Sequence, residues 1–390
     1  MSDLLMKPRK PHSKTEPNLN EKSGIDAHGY GKFRKDSHVL EPVVFERRNP
    51  YPGDVVIKIL YAGICHSDLH YIFNEWSPQI LPLVPGHEIC GKVIKVGSKV
   101  TNFKIGDVVA VGTMVNSCRI CSMCKIGKEQ YCENGVSGTY DSVDRKPGEI
   151  IASGEKTYGG FSSVITVNQD FVFHVPDNLD PAAVAPLLCA GITTYSPLKQ
   201  FGVKGKRVGV IGIGGLGHVC VRLAKAMGAY VVALTHTKWK LKDAIDNLGA
   251  DESVLTINKE EMGSLAESLD LIIDTIPQRH DFNKYLELLA YNGTLWILGP
   301  FSTLCYDMNI LASKNRSIKS SIVGGVPETE ELLQFCSNNG IQSDIEKISI
   351  DEINETYDKI INSHVRYRFV IDMEKKMVGG ARYVFSKFNY

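Results

Sequence analysis

Gly63-Ile64-Cys65-His66-Ser67-Asp68-Leu69-His70 places a thiol, two imidazoles, a hydroxyl and a carboxylate within eight residues. Such groups ligate metals, move protons and activate nucleophiles. Cys65 alone decides nothing, because a free cysteine is most often a small buried apolar residue. What matters is whether distant residues converge on it. Gly86-His87-Glu88 sets an imidazole beside a carboxylate, and Leu187-Leu188-Cys189-Ala190-Gly191 carries a thiol where the character of the chain changes. Cys65, His87 and Cys189 together make a zinc site with its fourth position open for water or substrate. Spacing does not establish that site, since each residue taken singly reads equally well as core or turn.

Two further motifs carry stronger spacing. Cys118, Cys121, Cys124 and Cys132 form C-x2-C-x2-C-x7-C, which closes a tetrahedral zinc site with no open position. An iron–sulfur run competes, but its closing C-x3-C-P is absent. A nucleic-acid-binding zinc ribbon competes too, with Arg119, Lys125 and Lys128 in the lobe. Gly212-Ile213-Gly214-Gly215-Leu216-Gly217 follows the apolar run 208–211 and opens a segment with Val219, Cys220, Leu223, Ala224 and Met227 at helical spacing. Glycines between a strand and a helix let a pyrophosphate approach the backbone at a helix N-terminus. A tight turn without phosphate is the plainer reading. The second strand, 230–234, ends in Thr235-His236-Thr237-Lys238-Trp239-Lys240. No carboxylate stands there to receive a ribose 2′-hydroxyl, while Thr235, His236, Thr237 and Lys240 suit the 2′-phosphate of NADP. The alternative is a solvated helix start capped by threonine.

The elements that must position these groups divide the chain. It has 390 residues, enough for more than one domain. Between 29 and 175 the signals are short strands, as at 55–60 and 91–97, broken by glycine and proline, with a long loop at 135–160. That pattern suits an irregular β domain carrying sites on its loops. After about Leu198, strand-like runs (253–257, 271–276, 294–298, 318–323) alternate with helix-like segments (238–248, 258–268, 281–290). The alternation predicts a doubly wound parallel sheet. Helices are expected at 328–338 and 351–363, and the strand Arg368–Asp372 can rejoin the first domain.

Lysine plus arginine equals aspartate plus glutamate at 44 each, so no charge surplus argues for a nucleic-acid or anionic-membrane partner. No apolar run is long enough to span a bilayer. Ten cysteines behind a polar start without an apolar signal segment read as metal ligands or core residues, and cytoplasm is the expected compartment. Residues 1–24 are expected to be a disordered extension.

In order along the chain, GICHSDLH at 63–70, VPGHE at 84–88, the four-cysteine lobe, APLLCAGITTYSPL at 185–198, GIGGLG at 212–217, LGADE at 248–252 and VRYRFVIDM at 365–373 stand together. This combination resembles the zinc-dependent medium-chain alcohol dehydrogenases, in the cinnamyl alcohol dehydrogenase-like branch with its bacterial NADPH-dependent aldehyde reductases. The resemblance implies a GroES-like catalytic domain, 25–190 with 328–373, and a Rossmann NADP-binding domain, 191–327, followed by a C-terminal extension, 374–390. It implies two Zn2+ per subunit, one catalytic on Cys65, His87 and Cys189 with Glu88 approaching transiently, and one structural on the four-cysteine lobe. Ser67 and His70 match a proton relay, Asp68 the carboxylate behind the ligand histidine, and His66 a position near the coenzyme pyrophosphate. Residues 113–117 and Trp76 fall where the substrate pocket is shaped. The implied reaction is reversible reduction of an aldehyde by NADP(H), in a homodimer. An inactive coenzyme-binding protein on the same scaffold is the alternative.

Overall fold

The computed structural model describes residues 24–76, 79–299, 304–361 and 365–375. The expected N-terminal extension, apart from Gly24, and nearly all of the C-terminal one lie outside them. In chain order the first part contains β1 (Gly24–Gly31), β2 (Glu41–Arg48), β3 (Asp54–Gly63), α1 (His66–Ile72), β4 (Ile89–Val96), β5 (Val108–Val111) and β6 (Met114–Asn116). Then come α2 (Ser122–Lys125), β7 (Ser137–Gly138), β8 (Val164–Asn168), β9 (Phe173–His174), α3 (Pro181–Val184) and α4 (Ala190–Phe201). The second part alternates: β10 (Arg207–Ile211), α5 (Gly217–Ala226), β11 (Tyr230–Thr235), α6 (Lys238–Asp246), β12 (Glu252–Leu255), α7 (Lys259–Ser264), β13 (Leu269–Asp274), α8 (Asn283–Leu286), β14 (Leu289–Ile297), α9 (Met308–Ser313) and β15 (Ser317–Ser320). The chain closes with α10 (Val326–Asn339), β16 (Ile345–Ile348), α11 (Ile353–Ile361) and β17 (Arg368–Asp372).

Two sheets dominate. The second part builds the expected parallel sheet, in the order β12-β11-β10-β13-β14-β15. Its central strands are buried on both faces, so valine, isoleucine and leucine dominate them, as in Val208–Ile211 and Leu271–Ile273. The strand order reverses beside β10, which puts the Gly212–Gly217 turn at the crevice where such sheets bind ligands. The first part forms a mostly antiparallel sheet, β16-β17-β3-β4-β5-β9, with β8 also paired to β3. β17 returns from the end of the chain to lie against β3, Val370 opposite Gly63. That pairing sets the start of the Cys65 loop beside the last described strand.

Element ends differ from expectation in the second part. The segment 281–290 is helical only over α8, because Leu288 and Leu289 are drawn into the core and β14 pairs with β13 from Leu289 onward. α7 is capped at Asn258, whose side chain accepts from Glu260 N and Glu261 N, and it stops at Ser264, before Glu267 turns left-handed at φ 54°. No helix of the described residues is long and apolar enough to cross a membrane.

Candidate active site

α1 begins directly at the chemical cluster. Cys65 is its N-cap, and Asp68 at N3 reaches back so that Oδ2 accepts from Cys65 N at 2.9 Å. The other oxygen, Oδ1, accepts from Gly86 N at 3.2 Å and lies 3.2 Å from His87 Nδ1. One buried carboxylate thus ties the Cys65 turn to the His87 loop and fixes which ring nitrogen of His87 is left to face the cluster. Burial alone lowers a histidine, but the Asp68 charge overrides it and holds His87 well above the usual imidazole range.

Cys189 arrives as the N-cap of α4, and its Sγ lies 3.7 Å from Cys65 Sγ. Ligand atoms of Cys65, His87, Glu88 and Cys189 all fall within 4.8 Å of one another, and all four residues are buried. The thiol contact pulls Cys65 well below the usual range and pushes Cys189 well above it. Burial pushes the Glu88 carboxyl up to about 8 against the pull of Arg368, and its Oε2 has no hydrogen-bond partner. Two crowded thiols, an oriented imidazole and an orphaned carboxylate oxygen form a donor set that suits zinc.

The four-cysteine lobe is separate. Cys118, Cys121, Cys124 and Cys132 bring their sulfurs within the same 4.8 Å, with Cys118 and Cys124 at 4.0 Å. Asn134 Nδ2 donates to Cys118 Sγ at 3.3 Å, and Ser117 Oγ lies 3.4 Å from Cys124 Sγ. Burial opposes ionisation, but the Asn134 donor helps bring Cys118 down to about 6, while burial pushes Cys124 up to about 12. Four thiols with no vacant side suit a closed zinc site.

A cavity of about 860 Å³ runs from Cys65, His66, Ser67, His70, His87 and Cys189 to Gly212–Leu216, Thr235, His236 and Lys240. Gly212 turns left-handed at φ 83°, and a Cβ on Gly217 would lie 2.0 Å from Gly212 O, so both positions need glycine. Gly214 has nothing within 4 Å of an added Cβ, the open backbone cradle that a pyrophosphate requires. Lys240 is buried and stands over the rings of Trp239 and Tyr367 at 5.4 and 5.7 Å. Thr237 caps α6 outside the cavity lining, its N–H donating to Thr235 Oγ1 at 3.2 Å. Asp68, Glu88 and Gly217 also stand behind the lining rather than in it. Of the stretch 113–117, Thr113 and Met114 face the cavity. Asn116 and Ser117 turn the other way, to Asp144 and the cysteine lobe. Trp76 lines the cavity and stacks on His70 at 4.7 Å.

Two residues escaped the motif reading. Arg368 is buried and its Nη2 donates to Glu88 Oε1, while its side chain packs against Gly215, so it joins the thiol cluster to the glycine turn. Glu75 contacts His70 Nδ1 through Oε2, leaving the buried His70 Nε2 without a partner at the cavity wall. Arg368 was visible only as the start of the closing strand and as part of a resemblance string. Glu75 lies five residues from His70, past the end of α1, where no periodicity predicts a contact.

Comparison with known proteins agrees with this architecture. Residues 51–177 match the alcohol dehydrogenase GroES-like domain and residues 215–338 match the zinc-binding dehydrogenase family. An NADP-dependent alcohol dehydrogenase of Mycolicibacterium smegmatis is 46% identical over 85% of this chain and 94% of its own length. The aldehyde reductase YahK of Escherichia coli is 45% identical over the same shares, 85% and 94%. The solved cinnamyl alcohol dehydrogenase SbCAD4 of Sorghum bicolor superposes with a TM-score of 0.86 at 38% identity, covering 92% of this chain and 100% of that one. The chain belongs to the zinc-dependent medium-chain alcohol dehydrogenases, in their cinnamyl alcohol dehydrogenase-like branch.

Proposed function

We propose that the protein reduces aldehydes reversibly to primary alcohols, taking hydride from NADPH at a zinc site held by Cys65, His87 and Cys189. The observation that carries this reading is the shared cavity: thiols and imidazole at one end, glycine turn and Lys240 at the other. Cys65, His87 and Cys189 would hold the zinc, which would supply Lewis-acid polarisation of a carbonyl oxygen, and NADPH would supply the hydride.

The chain's own groups handle the proton and the fit. Ser67 Oγ sits 3.6 Å from Cys65 Sγ, close enough to the metal ligands to donate to the product oxygen. His70, one turn along α1, holds its Nδ1 against Glu75, so the carboxylate orients the imidazole that returns a proton toward Ser67. Asp68 keeps His87 in the ligating orientation, and Arg368 keeps Glu88 beside the metal ligands. Thr235, His236 and Lys240 would hold the coenzyme's 2′-phosphate, and Gly212–Leu216 its pyrophosphate. Tyr71, Trp76 and Tyr140 wall the zinc end, with Tyr71 edge-on to both other rings at 5.3 and 5.1 Å. These walls suit an aldehyde with a flat apolar body.

The two sheets support dividing the chain into a catalytic part, 25–190 with 328–373, and a coenzyme part, 191–327. A homodimer is supported by the edge strand β15 and by exposed Tyr306, Met308 and Ile322 around it. Six free thiols as ligands suit the reducing cytoplasm. The test is NADPH oxidation against cinnamaldehyde, benzaldehyde and butanal with zinc counted in parallel. Zinc-loaded protein that consumes no NADPH with any aldehyde overturns the proposal.

A further inference from the structure

The cation at the coenzyme end of the cavity is managed from the opposite sheet. Lys240 and Asp243 stand three apart on α6, the spacing at which lysine and aspartate ordinarily pair on one helix face. Here they stand beyond ion-pair distance, close enough only for the Asp243 charge to be felt at Lys240, and Lys240 makes no ion pair with any described residue. Asp243 is buried, and both of its oxygens are taken. Arg366 Nη2 and Asn247 Nδ2 donate to Oδ1, and the Tyr367 hydroxyl donates to Oδ2.

Arg366 and Tyr367 lead into β17, which belongs to the mostly antiparallel sheet. Their own backbone and rings are fixed. Arg366 N donates to Glu346 Oε1 at 2.9 Å, and Tyr367 N to Asp344 O at 3.1 Å. The Tyr367 ring stacks on His218 of α5 with centroids 4.9 Å apart and planes 11° apart. The same ring lies under Lys240 Nζ and lines the cavity. Arg366 and Tyr367 therefore hold the carboxylate away from the lysine, and the aromatic rings leave the ammonium directed at the cavity.

We infer that the clasp formed by Arg366 and Tyr367 on Asp243 sets coenzyme preference, by keeping Lys240 free for the 2′-phosphate. Arg366 is a positioning residue in this scheme and never touches the coenzyme. Without it, Asp243 recovers Lys240 as a helix-face partner, and a dianionic phosphate meets both a distracted cation and an uncompensated carboxylate. The inference rests on the assignment of Lys240 to the 2′-phosphate.

The experiment uses zinc-loaded full-length protein and two readouts. One is the ratio of kcat/KM for NADPH to that for NADH. The other is calorimetric binding of 2′,5′-ADP against 5′-AMP, which isolates the 2′-phosphate without turnover. Arg366→Met is expected to lower both preferences about tenfold, the scale of one hydrogen bond to a charged group. Adding Asp243→Asn to Arg366→Met is expected to return them to within about threefold of the wild type, as a coupled pair requires. Equal losses with both coenzymes, unrescued by Asp243→Asn, would mean that the clasp only fastens the two sheets, and would overturn the inference. Lys240→Met separates the underlying assignment. If it leaves both preferences unchanged, Lys240 does not meet the phosphate. If it lowers them while Arg366→Met does not, the assignment stands and the clasp proposal fails.

Discussion

The cysteine lobe draws its four thiols from one loop, 118–132, and fixes them with local partners such as Asn134 and Ser117. The other cluster joins Cys65 and Cys189, 124 positions apart, through the start of α1, the 85–88 loop and the start of α4. The lobe is closed on all sides by sulfur, whereas the second cluster lines a cavity of about 860 Å³ and carries a buried carboxylate oxygen without a partner. A site made from one loop holds its metal whatever the rest of the chain does. A site assembled from three elements holds its metal only while β3, β4 and the start of α4 keep their relative positions, and in exchange it keeps one side open for chemistry.

Replacing Cys65 by Ser tests that difference most severely. The assembled site is expected to lose its zinc and the lobe to keep its own, so metal analysis falls from two zinc ions per subunit to one. Turnover is expected to drop by more than the roughly 100-fold that loss of an outer partner costs. A Cys65→Ser protein with both metals and near-normal turnover would erase the distinction between the two clusters.

The same contrast explains what the sequence disclosed. Four cysteines within one loop, and glycines between a strand and a helix, are local patterns whose geometry follows from the backbone. They were legible with only the metal and the ligand left to choose. Cys65, His87 and Cys189 were legible as residue types but not as a site, because nothing in their spacing brings them within bonding distance. Their meeting depends on β3 pairing with β4, Ala62 opposite Ile89, and on the start of α4 reaching the same end of that sheet. Arg368 and Glu75 were harder still. Each works through one partner, Glu88 and His70 respectively, and neither contact follows a helical or strand period. Helix ends at 264 and 286 were misjudged where a cap, a left-handed residue or a strand pairing overrode propensity.

The proton path sharpens the comparison next, since only the open cluster has one. Ser67→Ala is expected to lower kcat by about 10²–10⁴-fold with zinc content unchanged, the range for positioned proton transfer. An unaltered kcat would remove Ser67 from the path, and lost zinc would move it to the metal's support.

Outer partners give a smaller and more even-handed test. Asp68→Asn keeps the shape behind His87 but removes the charge, and about 10–100-fold weaker zinc binding is expected at the assembled site. Asn134→Ala removes the donor to Cys118, yet three other thiols and the loop's own turns remain, so competitive chelation is expected to show a smaller change there. A larger effect at Asn134 than at Asp68 would reverse the view that the local site is the more self-sufficient.

The subtlest test concerns the seam between α5 and the segment leading into β17, at the coenzyme end of the cavity. His218 is buried, stacks on Tyr367, and accepts from Asp344 N through Nε2 at 3.2 Å. Burial lowers its pKa from 6.5 to about 3. The unfolded chain therefore binds a proton between those values that the folded chain refuses. Its contribution to stability is complete above about pH 6.5 and is lost as pH falls toward 3, at up to about 1.4 kcal/mol per pH unit. His218→Gln keeps an acceptor and cannot titrate. Between pH 7 and pH 5 the variant is expected to lose about 2 kcal/mol less stability than the wild type in urea unfolding. Thiol protonation weakens both metal sites at acid pH, but it does so equally in the two proteins and cancels from the difference. Parallel pH profiles would show that His218 is protonated in the folded chain, and the seam would then not be what acid loosens first.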